Sequence, residues 1–94
     1  GVRIAETSGD LSLLLAVVSS LRNKVLPNDL VVFGEVGLTG EIRPVASGQE
    51  RIAEAAKHGF KRAIVPKGNA PRTNIPGIKV QPVSRLDEAI ALFD

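Results

Sequence analysis

The chain of 94 residues contains no cysteine, which excludes disulfides, thiolate catalysis and cysteine-based zinc sites together. Its single histidine, His58, cannot form a metal centre alone, so we expect no bound metal. The aromatic residues are three phenylalanines, with neither tyrosine nor tryptophan. Because proteins that hold single strands stack bases on aromatic side chains, this scarcity argues against base-specific recognition of nucleic acid. Any contact should be to the phosphate backbone.

The chain also lacks a long apolar run and a strong excess of one charge. Its longest apolar stretch, residues 13–18, is far shorter than the ~20 residues that cross a bilayer. Nothing near Gly1 has the apolar core of a signal peptide, so we expect a cytoplasmic protein with no membrane partner. A net charge of +2 permits DNA binding without requiring it. The length predicts one domain over residues 1–94, as a fragment of a longer protein.

Apolar periodicity predicts an α+β fold with three helices, at residues 10–23, 48–58 and 84–93. The first helix is apolar over so much of its circumference that we expect it to be sandwiched between other elements. Ser47 and Ser84 each precede an acidic residue by three positions, a spacing that predicts capping of the second and third helices. The predicted core consists of Leu14, Leu15, Val18, Val32, Ile52, Ile64, Ile90 and Phe93.

β-prone runs predict strands at residues 2–4, 30–36, 41–45, 62–66 and 78–82. Gly37 and Gly40 lie between the second and third of these strands, which predicts an antiparallel hairpin. We expect the strand at 62–66 to follow the strand at 41–45 by a right-handed crossover through the second helix. The expected architecture is a mixed sheet with helices packed on it.

Three segments of the chain, 29–40, 43–59 and 63–66, resemble successive segments of the Lon protease domain, which has the ribosomal protein S5 domain 2-like fold. The resemblance covers nearly the whole chain. Within that superfamily the chain looks most like the C-terminal Lon-like domain of the bacterial RadA (Sms) family of DNA repair and recombination proteins. The strings that carry this narrower resemblance are VVFGEVGL at 31–38, GEIRPV at 40–45 and SGQER at 47–51.

The narrower resemblance implies a hexameric ATPase whose zinc finger and RecA-like motor precede such a domain. ATP, magnesium and zinc are therefore expected only in those other modules of the parent protein. The implied partners are DNA and further copies of the chain, with a recombinase of the RecA type as another. No Gly-Lys-Ser/Thr phosphate-binding loop occurs in the sequence, so we expect no cofactor in this chain.

The Lon resemblance places Ser8 at the nucleophile, Gln49 at the catalytic lysine and Phe33 at a neighbouring threonine. A serine nucleophile needs a base that takes its proton, and an amide accepts no proton near neutral pH. We therefore expect the three positions to be vestigial and the domain not to be an enzyme. Ser8 has an alternative role as the cap of the first helix. His58 falls in the last turn of the second helix, where a solvated role is expected.

The basic residues give the chain its candidate DNA contacts. They lie near the ends of the first two helices and around the strand at 62–66, and they are Arg22, Lys24, Lys57, Lys61, Arg62 and Lys67. Cations are also favoured at helix C-termini by the helix dipole, so plain solvated helix ends are the alternative. Three functions remain open: a non-catalytic scaffold domain that supports oligomerisation and non-specific DNA binding, a residual serine-dependent peptidase, and a protein-interaction domain with no DNA role.

Overall fold

The computed structural model describes residues 9–93, so the predicted strand at 2–4 and the side chain of Ser8 lie outside it. Residues 9–93 form three α-helices and six strands, joined by turns and one 3-10 turn at Lys67–Asn69. In chain order the elements are β1 (Gly9–Asp10), α1 (Leu11–Leu21), β2 (Leu30–Val32), β3 (Glu35–Val36), β4 (Ile42–Arg43), α2 (Gly48–Lys57), β5 (Arg62–Pro66), β6 (Lys79–Val83) and α3 (Leu86–Ala91). The three predicted helices are thus present, each within about two residues of its predicted bounds.

The strands form two separate three-stranded sheets. One is parallel, in the order β2-β5-β6, and the other is antiparallel, in the order β1-β3-β4. The predicted hairpin is confirmed, with Val36 opposite Ile42 across β3 and β4. The architecture is a small α+β domain in which helices cover a parallel sheet.

The predicted continuous strand at 30–36 is wrong, because the chain changes sheets inside it. β2 pairs with β5, and the Phe33 N–H continues that ladder by donating to the Ile64 carbonyl at 3.2 Å. β3, two residues later, pairs with β1 and β4 in the other sheet. The run is uniformly β-prone, so its composition gives no sign of the break.

Gly34 is the residue at which the change of sheet occurs. Its φ is +145°, a backbone conformation that side chains disfavour. A Cβ there would also lie 3.1 Å from Pro66 Cγ and 3.3 Å from side-chain carbons of Ile42 and Leu11. Both the turn and the close approach of three neighbours therefore require glycine.

The predicted crossover from the strand at 41–45 to the strand at 62–66 is also wrong, as is the single mixed sheet. β4 belongs to the antiparallel sheet, so α2 connects two sheets and does not complete a βαβ unit within one. The parallel neighbours of β5 are β2 and β6. The two sheets are joined near β4 by the Ile42 N–H, which donates to the Ser84 carbonyl at 2.9 Å.

Asp10 directly precedes helix α1, and its carboxylate accepts the N–H groups of Ser12 at 2.8 Å and Leu13 at 3.3 Å. Asp10 is therefore the cap of the first helix, and the alternative that Ser8 caps it is wrong. An aspartate at this position both satisfies free N–H groups and places negative charge at the positive end of the helix dipole.

The two predicted serine caps are also wrong. Ser47 adopts a left-handed backbone conformation with φ of 59°, and its side chain makes no capping hydrogen bond to α2. At the start of α3 the capping carboxylate belongs to Glu88. It accepts hydrogen bonds from the Ser84 N–H at 2.7 Å, the Ser84 hydroxyl at 2.8 Å and the Arg85 N–H at 2.8 Å. Because the helix begins at Leu86, two residues later than predicted, Asp87 is too early to reach back to Ser84.

Buried side chains form two clusters, on opposite faces of the parallel sheet. Successive residues of β5 point to opposite faces, so Ile64 joins the cluster beneath α1 and α3, while Val65 joins the one beneath α2. Of the predicted core, Leu15, Ile52 and Ile64 are buried. The other predicted core residues are only half-buried, and they are Leu14, Val18, Val32, Ile90 and Phe93.

The outer face of α1 is not covered in this structure, contrary to the predicted sandwiching. Leu13, Val17 and Leu21 lie on one stripe of the helix and are 64%, 48% and 79% exposed. The 11 residues of α1 include no charged side chain. The stripe is therefore apolar and uncharged along the whole length of the helix.

The side chain of Asn69 holds the segment that leads into α2. Its carbonyl oxygen accepts the Val45 N–H at 2.8 Å, and its amide donates to the Val45 carbonyl at 3.0 Å, so one side chain takes the place of a partner strand. Asn69 is buried against Gly48, where any Cβ would collide with the amide group. The 3-10 turn after β5 thereby fixes the position at which α2 begins.

The hairpin turn between β3 and β4 is closed by Glu41. Its carboxylate accepts the Thr39 hydroxyl at 2.6 Å, the Thr39 N–H at 3.2 Å and an Arg43 guanidinium N–H at 2.7 Å. These bonds, the one from the Thr39 hydroxyl foremost, lower the pKa of Glu41 to about 2. Arg85 then donates to the Thr39 carbonyl at 2.6 Å, which ties the turn to the start of α3.

Leu15→Ala should lower the free energy of unfolding by roughly 2–5 kcal/mol, because Leu15 is 1% exposed and its loss leaves a cavity. Leu13→Ala is the matched control, since it removes the same atoms from a side chain of the same helix that is 64% exposed. Its cost should be within about 0.5 kcal/mol. Urea denaturation followed by circular dichroism measures both, and equal losses would contradict the placement of α1.

The stability of the chain should depend on the charge of Glu41 in acid. Because folding lowers this pKa from 4.5 to about 2, the stabilisation is present above pH 4.5 and is lost as the pH falls toward 2. Glu41→Gln should therefore flatten the fall of the urea midpoint over that interval. Thr39→Val, which removes the shortest of these hydrogen bonds, should flatten it in part. If the urea midpoint of Glu41→Gln fell with pH as steeply as that of the unmodified chain, the lowered pKa of Glu41 would be refuted.

Candidate functional site

The starts of the three parallel strands lie side by side at one end of the molecule. Arg62 is opposite Leu30 on one side and Lys79 on the other. The Lys79 N–H donates to the Lys61 carbonyl at 2.9 Å, and the Lys61 N–H donates to the Asp29 carbonyl at 2.9 Å. Three cationic residues, Lys61, Arg62 and Lys79, thus lie together at the N-terminal end of the parallel strands.

The C-terminal ends of the helices reach the same end of the molecule. α2 ends at Lys57, four residues before Lys61. Arg22 and Lys24, which follow α1, line a depression with Phe93. Phe93 also lines a second depression, with Arg62 and Lys79. The partial negative charge of helix C-termini favours cations here, so the local fold itself accounts for part of this clustering.

We call this surface the basic end, and it comprises Arg22, Lys24, Lys57, Lys61, Arg62 and Lys79. Five of the six predicted candidates therefore lie together, and DNA binding by them stays a prediction. Lys79 was not predicted. Its position opposite Arg62 depends on parallel pairing between strands distant in sequence, for which the sequence gives no local signal.

Lys67 does not join the other candidates, so the predicted grouping with Lys57, Lys61 and Arg62 is wrong for this residue. It follows the C-terminal end of β5, six residues beyond Lys61, and an extended strand places these two residues about 20 Å apart. Lys67 is instead near Glu88. The pKa of Glu88 is lowered first by the hydrogen bond from the Ser84 N–H, with the charge of Lys67 as a smaller contribution.

Two carboxylates lie among the cations at or near the basic end. Asp29 contacts Arg62 at 3.3 Å, and both side chains are partly exposed. His58 contacts Glu54 at 3.1 Å, with both side chains about two-thirds exposed. Exposed pairs of this kind contribute between about 0 and 1 kcal/mol to stability, so the fold depends little on them. A polyanion can therefore compete for Arg62 at small cost to the domain.

Phe33 and Gln49, two of the positions that the Lon resemblance predicts for a catalytic group, do not lie together in the described part of the chain. Phe33 is buried beneath α2, and the guanidinium of Arg51 lies over its ring, 5.8 Å from the centroid. This ring faces a depression also lined by Asp10 and Glu35. Gln49 is exposed and lines a different depression, beside Pro71 and Arg72.

Ser8, the third of these positions, lies outside the described residues, although Asp10, two residues later, lines the Phe33 depression. The interpretation of Ser8 as a vestigial nucleophile therefore stays a prediction. At the position that the resemblance predicts to match a threonine, Phe33 is buried and the Arg51 guanidinium lies over its ring.

Within residues 9–93 no three histidine, aspartate or glutamate side chains are close enough to hold a metal ion. None of the helices in that range has both the length and the apolar character that a membrane crossing needs.

Comparison with known proteins identifies a family and a set of relatives. The family model described as "Subunit ChlI of Mg-chelatase" matches residues 2–69, most of the chain. DNA repair protein RadA from Haemophilus influenzae and from Escherichia coli are each 64% identical over 94 residues, which is all of this chain and 20% of each relative. RadA from Aquifex aeolicus is 47% identical over 93 residues, 99% of this chain and 20% of that protein.

The chain thus spans about a fifth of the length of the curated relatives it matches. The predicted resemblance to RadA is confirmed at the level of homology, whereas the finer assignment to a Lon-like domain stays a prediction. The chain belongs to the family described as subunit ChlI of Mg-chelatase, and over its whole length it is a homologue of one part of DNA repair protein RadA.

Proposed function

We propose that the chain is a non-catalytic Lon-like scaffold domain, with a ribosomal protein S5 domain 2-like fold, of a RadA-type hexameric ATPase that acts in bacterial DNA repair and recombination. In this role it supports assembly of the ring and binds DNA without sequence preference. The observation that carries the proposal is the basic end of this homologue of a DNA repair protein. Arg22, Lys24, Arg62 and Lys79 line two depressions that share Phe93, and Lys57 and Lys61 lie in the segment that leads from α2 into β5.

The electrostatics of the basic end suit a polyanion. Phosphate contacts by lysine and arginine release counterions, so they supply affinity without reading sequence. The same surface presents few groups that could distinguish one base from another, since its members are mostly long, flexible cations. A single domain offers few contacts, but a ring of six can apply them at once. The affinity of the assembled protein should therefore far exceed that of the separate domain.

The exposed face of α1 supports a role in assembly. Leu13, Val17 and Leu21 form a continuous apolar stripe, and such stripes are typically covered in the complete protein. Its occupant in this proposal is a neighbouring subunit or module of the parent protein. The contacts with DNA and with neighbours then use adjacent but different residues, because Leu13, Val17 and Leu21 do not line the depression that Arg22 and Lys24 share with Phe93.

The remaining parts of the proposal concern the parent protein. ATP, magnesium and zinc belong to modules outside this chain, a RecA-type recombinase is a further partner, and the setting is the cytoplasm with no membrane contact. These follow from the predicted family resemblance and from homology to a repair protein over one fifth of its length.

No observation favours a residual peptidase. A Lon-type mechanism needs a base beside the nucleophile, and Gln49 faces a different depression from Phe33. Phe33, which the resemblance places where a threonine would help to hold the pair, carries no hydroxyl and has Arg51 over its ring. The scaffold interpretation is therefore preferred.

Charge reversal at the basic end should weaken DNA binding by the full-length parent protein. Lys57→Glu/Lys61→Glu is the test variant, and Arg62 is left intact because of its pair with Asp29. Each lost phosphate contact should make the slope of log affinity against log salt shallower by roughly 0.7–0.9. Fluorescence anisotropy with labelled DNA across a salt series measures this slope.

Lys67→Glu/Arg72→Glu is the matched control for that experiment, because it changes the net charge by the same amount away from the basic end. Its affinity and salt slope should stay close to those of the parent protein. Equal losses in both variants would show a dependence on net charge alone, and no loss in either would place the DNA contacts elsewhere.

The chain should have no peptidase activity, because Gln49 cannot act as the base that activates a serine. Wild type, Ser8→Ala and Gln49→Lys would be incubated with casein and with a fluorophosphonate probe, and none should cleave or be labelled. Gln49→Lys should also fail, since its side chain is exposed and nothing there would lower the pKa of a lysine. Activity in wild type that disappears in Ser8→Ala would make the domain an enzyme.

A further inference from the structure

We infer that the basic end holds one unpaired base of single-stranded DNA against Phe93. The site is the depression between the start of the parallel sheet and the end of α3, which we call the Phe93 slot, and its lining includes Pro27, Leu30, Arg62, Lys79, Gln81 and Phe93. The inference rests on the proposed DNA binding and adds a base contact to an interface otherwise made of phosphate contacts.

The composition of the slot is what distinguishes it from the rest of the basic end. Its lining combines half-buried apolar residues, Leu30 and Phe93, which we call its floor, with the exposed cations Arg62 and Lys79, which we call its rim. An apolar floor with cations at the rim matches a nucleotide, which has a flat apolar face and an anionic phosphate. Gln81 is exposed in the slot and offers both a donor and an acceptor to the edge of a base.

The position of Phe93 gives the strand a path. Phe93 lines the slot together with Arg62 and Lys79, and it also lines the small depression beside Arg22 and Lys24. A strand that contacts both pairs of cations would therefore pass close to this aromatic side chain. Single-strand binding sites combine these two elements, a basic track for the backbone and an aromatic surface for the bases.

The size of the slot favours a single base over a larger group. Its volume is about 240 Å³, below the roughly 300–1,000 Å³ of pockets that enclose drug-sized ligands. A duplex keeps its bases stacked and could offer only phosphates to the rim, whereas a single strand can turn one base inward. Stacking on phenylalanine tolerates any base, so this contact agrees with binding that has no sequence preference.

The absence of tryptophan and tyrosine from the chain allows a direct test, because Phe93→Trp introduces a single tryptophan at the floor of the slot. The 94-residue chain with this change would be titrated at low salt with oligo(dT) and with an abasic oligonucleotide of equal length. Both carry the same phosphates, and only oligo(dT) carries bases. Stacking should quench the tryptophan at least twofold more with oligo(dT), while anisotropy of the labelled oligonucleotides reports binding independently.

Phe60→Trp is the matched control, because Phe60 is also half-buried, adjoins Lys61 and does not line the slot. Its fluorescence should respond equally to the two oligonucleotides. Phe93→Leu, which keeps an apolar side chain, covers the case in which the tryptophan variant does not fold. It should weaken oligo(dT) binding by about 5- to 100-fold, as expected for one lost stacked base, and leave binding of the abasic strand unchanged.

Three results would count against the inference. The base contact would be ruled out, with phosphate binding left intact, if both oligonucleotides quenched the tryptophan at position 93 equally. The same conclusion would follow if Phe93→Leu bound oligo(dT) as tightly as the unmodified chain does. Stronger binding of duplex than of single strand, with no change in Phe93→Leu, would do the same. Failure of the full-length parent protein to bind either oligonucleotide at low salt would remove the proposed DNA binding itself, and the slot with it.

Discussion

The passage of the chain from one sheet to the other at Gly34 is the constraint on which the remaining structure depends. It leaves β2 in the parallel sheet beside β5 and sends β3 into the antiparallel hairpin. The parallel sheet can then have α1 and α3 on one face and α2 on the other, with the starts of its strands at one end. The hairpin is held across the opposite end by the bonds of Arg85 and Ile42. Because the chain changes sheets at Gly34, the basic end and the β3–β4 turn lie at opposite ends of the domain.

The same arrangement explains why cations collect where they do. In a parallel sheet with connecting helices, helix C-termini and strand N-termini come together, and their exposed carbonyl groups favour positive charge. Lys57, in the last turn of α2, is therefore favoured by the helix dipole even without a ligand. A surface that is cationic because helix dipoles favour positive charge needs few further substitutions to bind a polyanion. The helix dipoles and the proposed DNA binding can therefore both account for the same lysines and arginines.

The sequence predicted what depends on local pattern. Residues close together in the sequence determine the three helices and the β3–β4 hairpin, so their spacing was enough to predict them. The same is true of most of the basic candidates, which lie near helix ends. What it could not predict depends on contacts between distant residues. The break at Gly34 is set by Pro66, the start of α2 by Asn69, and the position of Lys79 by its pairing with Arg62. Ser47 shows the limit of a local rule, because its backbone is left-handed and its side chain makes no hydrogen bond to the helix that its spacing predicts it to cap.

In this proposal the basic end is the surface that the domain turns toward DNA. A cryo-electron microscopy structure of the full-length parent protein with single-stranded DNA bound would test this placement. The strand should lie against Arg22, Lys24, Lys61 and Lys79, with a base at Phe93. Density for DNA against the opposite edge, beside Lys67 and Arg72, or a ring in which the basic end faces away from all DNA, would contradict it.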